Sequence, residues 1–394
     1  MSSHKNTFLR KFLPSFFLTL GAAITALSFW TKKNNFQSPL FLIRYLSKPH
    51  SKVGPLFETR NIRRADVPQE IPEKVKPIEQ IVSWKGQYRG LSGVLRETET
   101  NTFLATKDGR LVRRWTREGY TEATLQSSWS VAKSVVGLVT GQLIAEGKLK
   151  EDTLLVDVLP EYATGGPFDQ INVGHLLDMK SGIDVAEEYK EWQAYTGVGG
   201  LMTTKDLPAY LTQNRNTFAV PGAVSDYRSV DTQYLSMIIS RVEKKPLATI
   251  VRQRIWDPIG AVDNASWTLD HADGTEKGFM GLNASARDFL KLGLLIANGG
   301  RVGDVQVVPE EFMKRILSSR GMIQSDSHNW GYSSKWWHPT GSNEHKDITA
   351  LGVYGQFVYV NLTHNVVIAK SSDYGTEQDE DELISVFREI SETL

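Results

Sequence analysis

The chain has 394 residues, 40% of them hydrophobic, which is enough for one large domain or two modest ones. Lys plus Arg number 45, as do Asp plus Glu, so the formal net charge is zero and no basic stripe marks a nucleic-acid partner. Cysteine is absent, which excludes disulfides, thiolate metal sites and a cysteine nucleophile, and the eight histidines lack paired metal-ligand spacing.

The first element is apolar. Residues 12–30, "FLPSFFLTLGAAITALSFW", carry no charge and lie between Lys5, Arg10 and Lys11 on one side and Lys32 and Lys33 on the other. A helix of that length rises about 28 Å, close to a bilayer core. An uncleaved membrane anchor is favoured over a cleaved secretory signal, because "AAITALS" is a poor cleavage site. A buried globular helix is the third option. Basic residues flank both ends, so orientation stays open. Residues 34–85, rich in Pro and charge, read as a tether partly ordered against the body. The expected organisation is therefore an anchor or signal over 1–33, a tether over 34–85, and a compact domain over 86–394.

Within that domain, "TFLATKDGRLVRRW" predicts a hairpin turning at Lys107-Asp108-Gly109. Val135, Val136, Leu138, Val139, Leu143 and Ile144 give a helix stripe that begins after Ser130 and ends near Gly147. The middle, about 150–300, reads mainly helical with long loops. It includes "VDTQYLSMIISRVEKK" and a helix capped by Ser285 and stopped at Asn298-Gly299-Gly300. Strands return in "WGYSSKWW", "ITALGVYGQFVYV" and "NVVIAKSS", and acidic "EQDEDE" opens a last helix. Strands at both ends with helices between predict an α/β (α+β) domain whose sheet draws on both ends of the domain.

Three segments could carry chemistry. In "SSWSVAKSVVGLVTG", Ser130 and Lys133 share one helix face at i and i+3. The helix N-terminus offers free N–H groups and a positive dipole end beside the serine. Packing could desolvate the ammonium, lower its pKa and make Lys133 the base for a Ser130 nucleophile. The competing reading is a serine helix cap beside a solvated lysine. Next, Tyr227 and Ser229 form a Y-x-S in "SDYRSVDTQYL"; alone, Tyr227 reads as a core tyrosine. Last, Gly352 and Gly355 interrupt "LGVYGQFVYV", where a glycine permits close backbone approach or marks a bulge.

Taken in this order, the segments resemble the serine β-lactamase and penicillin-binding protein superfamily. Within it they are most similar to the class C-like esterases and the 6-aminohexanoate-oligomer (nylon-oligomer) hydrolases. The matching stretches include "INVGHLLDMKSGI" and "GLNASARDFLKLGLLIANGG" and spread over roughly residues 90–390. The resemblance implies a β-lactamase/transpeptidase-like fold, with an antiparallel sheet flanked by helices plus a mainly helical subdomain. It implies a Ser130 nucleophile, a Lys133 base and a Tyr227 proton relay, with Ser229 where Asn is usual. It assigns the oxyanion hole to the backbone N–H groups of Ser130 and Val353; one such donor is worth about 3 kcal/mol. Tyr189, Trp129, Ser229 and Gly352 are candidate substrate-binding positions, and Trp192 a candidate pocket wall. No metal or organic cofactor is implied.

One departure matters. The family's third motif is often K-T-G or H-x-G, and here it reads Ala350-Leu351-Gly352. "HPTG" at 338–341 falls in a turn before that strand. The cation that would hold a free carboxylate is missing, which favours a small-molecule ester or amide over a β-lactam or cell-wall peptide. The rival expectations are a catalytically silent binding or scaffold protein and a cell-wall peptidase or β-lactamase. A carboxylate pair drawn from Asp184, Glu187, Glu188 and Asp226 is the weakest alternative, and His175 reads as a core histidine. With the apolar N-terminus, the hydrolase domain is expected outside the cytoplasm, anchored to a membrane or secreted.

Overall fold

A computed structural model describes residues 21, 24–188, 193–325, 328–375 and 379–394. Strands β1, Thr100–Lys107, and β2, Arg110–Thr116, form the expected hairpin. Asp108 and Gly109 turn it with positive φ at both positions, 50° and 73°, as a two-residue turn between twisted strands requires. Helix α1 follows at Val131–Ala145 and ends with Gly147 at φ 70°. Helix α2 is Ser229–Glu243, and helix α3 is Ala286–Ala297, capped by the Ser285 hydroxyl accepting from Asp288 N. Six strands close the sheet: β3 Gly321–Gln324, β4 Asn329–Ser333, β5 Trp336–His338, β6 Asp347–Gly352, β7 Gln356–Asn361 and β8 Val366–Ser372. Helix α4, Glu380–Thr393, ends the chain.

The eight strands run in the order β3-β4-β5-β6-β7-β8-β1-β2, each antiparallel to its neighbour. The sheet thus joins the two ends of the domain where β8 pairs with β1, Ile368 opposite Ala105 and Ala369 opposite Leu104. Period-two alternation sorts the side chains between two cores. Leu104, Val358, Val360, Val367 and Ala369 face a core shared with α1, α2 and α3. Their neighbours Phe103, Ala105, Phe357, Tyr359, Val366 and Ile368 face one shared with Leu383, Phe387 and Ile390 of α4. Helix α3 lies close against the sheet through Gly293, where an added Cβ would stand 2.2 Å from Val367 Cγ1. The result is the β-lactamase/transpeptidase-like arrangement of a helix-flanked antiparallel sheet with a mainly helical region.

Two features differ from the sequence expectation. Helix α1 is buried on every side rather than along one stripe, because the sheet, α2 and the helix Glu310–Ile316 surround it. The middle region also holds strands, Ala265–Thr268 and Leu282–Ala284, which join Thr59–Ile62 and Gln126–Ser127 in a four-stranded sheet. Runs of three or four residues are too short to show a strand period.

Residues 34–85 contribute Tyr45, Val53, Phe57 and Ile62 to the larger core, and the strand Ile81–Trp84 packs against α4. Of the apolar run 12–30, residues 12–20, 22 and 23 lie outside the described residues, and residues 24–33 are helical. Among the described residues no helix is long and apolar enough to cross a membrane.

Candidate active site

Ser130 stands at the N-cap of α1, yet its side chain makes no capping hydrogen bond. The Lys133 ammonium donates to it instead, Nζ to Oγ 2.7 Å, and also donates to the Phe279 carbonyl at 3.0 Å. Lys133 is 1% exposed, so it is not a solvated surface charge. Burial pushes its pKa down to about 7; the Glu187 carboxylate pulls it back up, and the nearby Lys335 cation lowers it further.

Tyr227 completes the group. Its phenol is close enough to Ser130 for the serine hydroxyl to act on it, and Lys133 Nζ lies 4.9 Å from its ring centre. The ring stacks on Trp337 with centroids 5.2 Å apart and 23° between planes, and Tyr332 meets it edge-on at 6.0 Å. Burial and the Glu187 carboxylate raise the phenol pKa well above its ordinary value, outweighing the lowering by the nearby Ser130 hydroxyl. Tyr227 therefore keeps its proton at neutral pH, while Lys133 can lose one.

The end of β6 reaches Ser130. A Cβ on Gly352 would stand 2.5 Å from Ser128 O and 3.2 Å from Ser130 N, so glycine is what lets the strand approach. Val353 then enters a turn with Tyr354 at φ 68° and Gly355 at φ 77°. Ala350 and Leu351 are buried, one facing each core, and bring no cation to this strand. His338 ends β5, and burial pushes its imidazole down to about 4, so it supplies no charge near neutral pH.

Of the remaining candidates, Ser229 and Trp129 border this group. Ser229 is buried at the start of α2, where its N–H and hydroxyl donate to Glu187 at 2.7 and 2.6 Å. Trp129 is 3% exposed and packs beside Tyr354. Tyr189 and Trp192 lie outside the described residues. Asp226 pairs with Arg228 at 2.6 Å, and His175 closes a capping box with Asn172. No group of three His, Asp or Glu able to hold a metal occurs among the described residues.

Four contributors escape sequence reasoning: Glu187 as the charge beside the lysine, Phe279 through its carbonyl, Trp337 under the tyrosine, and Lys335. Lys335 is buried in the β4–β5 turn, with its Nζ 3.2 Å from Met179 Sδ and Asp231 as the carboxylate that acts on it most strongly. Burial lowers the Lys335 pKa and raises that of Asp231.

Comparison with known proteins identifies the family to which this fold belongs. A protein-family model described as beta-lactamase matches residues 80–386. The 6-aminohexanoate-dimer hydrolase of Paenarthrobacter ureafaciens is 26% identical over 340 residues, covering 82% of this chain and 84% of that protein. A solved structure from Bacillus anthracis, provisionally assigned as a 6-aminohexanoate-dimer hydrolase, superposes with a TM-score of 0.78 at 22% identity, covering 92% of this chain and 97% of its own. A class C beta-lactamase from Rhodobacter sphaeroides superposes with a TM-score of 0.55 at 15% identity, covering 76% and 97%. The chain belongs to the beta-lactamase family and is a serine hydrolase.

Proposed function

We propose that this chain cleaves a small ester or amide through an acyl-enzyme on Ser130. The observation that carries the reading is the 2.7 Å contact of Ser130 Oγ with a buried lysine whose pKa lies at about 7. Neutral Lys133 takes the hydroxyl proton as Oγ attacks the carbonyl carbon. The tetrahedral oxyanion is held by the N–H groups of Ser130 and Val353. Tyr227, protonated and beside Ser130, passes a proton to the leaving alcohol or amine as the carbon–heteroatom bond breaks, and Lys133 re-protonates it. Water then attacks the acyl-enzyme by the same relay, releasing the acid and free Ser130.

The substrate class follows from the third motif. With Ala350 and Leu351 in place of a cation, a free carboxylate next to the scissile bond finds no partner on β6. A charge-assisted contact of about 1.5–3 kcal/mol is thereby lost, roughly 10- to 100-fold in affinity. Amide oligomers of the kind named for the Paenarthrobacter relative, and simple esters, suit the site better than β-lactams. The setting we propose is a membrane surface or an exported compartment, reached through residues 12–30. In the helix Pro39–Leu46, Leu40, Ile43 and Leu46 share one face and are 57%, 58% and 59% exposed, with Arg44 and Lys48 nearby.

The test is a substrate panel comparing linear 6-aminohexanoate dimer, p-nitrophenyl butyrate, benzylpenicillin and a D-alanyl-D-alanine peptide. Turnover of the first or second, absent in Ser130→Ala, is expected, with the last two slower by about 10-fold or more in kcat/KM. Comparable turnover of the D-alanyl peptide would contradict the substrate assignment.

A further inference from the structure

The two expected oxyanion donors each adjoin an aromatic residue in an unusual conformation. Trp129 precedes Ser130 and holds φ 49°; Tyr354 follows Val353 and holds φ 68°. Side chains with a Cβ rarely adopt such backbone, and the surroundings must keep them there. One residue touches both. Trp129 Nε1 donates to the His50 carbonyl at 3.2 Å. The His50 imidazole lies flat on the Tyr354 ring, with centroids 3.6 Å apart and 1° between planes. The Trp129 and Tyr354 rings meet edge-on at 4.9 Å.

The segment that supplies His50 is itself fixed on both sides. Before it, Tyr45 of the helix Pro39–Leu46 is buried in the larger core, close enough to Tyr354 for that phenol to act on its own. After it, Ser51 N donates to Asp373 Oδ1 at 2.7 Å, and Asn101 Nδ2 and Arg117 donate to Asp373 Oδ2 at 2.9 and 3.0 Å. His50 Nδ1 is buried with no hydrogen-bond partner among the described residues, so the ring acts on Tyr354 through its face rather than through that nitrogen.

We propose that residues 45–51 form a strap in which His50 is a positioning residue for the oxyanion hole. By its carbonyl it holds the backbone before Ser130, and by its ring it holds the backbone after Val353. The spacing of the two N–H donors is thus fixed from outside the catalytic group. The inference rests on the reading of Ser130 and Val353 as donors in acyl transfer. A donor aimed at the oxyanion gains its strength from being fixed before charge develops, so loosening the strap acts on the transition state more than on substrate binding.

The test uses the full chain and p-nitrophenyl butyrate. His50→Ala is expected to lower kcat by about 10-fold, part of the loss on removing a whole donor, with KM within about 2-fold. His50→Phe keeps a flat ring and is expected to recover at least half of the wild-type kcat. His50→Leu fills space without a flat ring and is expected to rank below Phe, a comparison that stands if the Ala variant does not fold. Wild-type kcat in His50→Ala, a loss confined to KM, or Phe no faster than Leu would each overturn the proposal. A wild type no faster than Ser130→Ala would instead overturn the Ser130 reading, and this proposal with it.

Discussion

On the proposed mechanism, Lys133 sets the pH behaviour of the site. Its pKa of about 7 means that the neutral, base-competent form grows as pH rises through that value. We predict that kcat/KM climbs with pH on an acid limb near 7. Glu187 raises the lysine pKa and Lys335 lowers it, so their removal moves the limb in opposite directions. Glu187→Gln shifts it to lower pH and Lys335→Met to higher pH, both read from pH profiles of kcat/KM. Shifts of the same sign would contradict this electrostatic account. The serine, lysine and tyrosine are legible in the sequence because Ser130 and Lys133 sit one helix turn apart and Tyr227 follows in a recognisable order. Their supporters are not legible. Glu187 and Trp337 come from distant segments, and the Phe279 carbonyl carries no residue-type signal at all.

Elements position these residues through close backbone contacts. Helix α3 packs on the sheet where Gly293 faces Val367 and Val358, at 2.2 and 3.0 Å from an added Cβ. Gly293→Ala should destabilise the fold by about 1–3 kcal/mol through overpacking, measured as a lower denaturant midpoint at unchanged slope. Full stability in that variant would mean the helix can lift off the sheet at little cost. The caps and tight turns behind this arrangement are readable in advance: Asp108-Gly109 turns its hairpin, and Ser285 caps α3. The short strands Ala265–Thr268 and Leu282–Ala284 are not, since their pairing with Thr59–Ile62 and Gln126–Ser127 is a tertiary fact with no local period.

At the scale of the whole molecule, strands from both ends of the domain meet in one sheet, and this is visible in the order of apolar runs along the chain. The contribution of residues 34–85 is hidden by their composition. Ile62 stands singly among polar residues, Phe57 in a short apolar run and Tyr45 in one short apolar helix, too little to show a period across this segment, yet all three enter the larger core. For the N-terminal run we predict that the full chain stays with the membrane fraction after salt and alkaline washing, as an apolar span of about 19 residues requires. Release as an intact chain would contradict the anchor, and release with a new N-terminus after the run would indicate a cleaved signal.

The central claim is a covalent acyl-enzyme at Ser130. Its most direct test is mass spectrometry of the chain treated with a fluorophosphonate, with p-nitrophenyl butyrate turnover followed in parallel. The account predicts one adduct, mapped to Ser130, loss of turnover in step with labelling, and neither labelling nor turnover in Ser130→Ala. Labelling at another residue, or turnover that persists in folded Ser130→Ala, would contradict it.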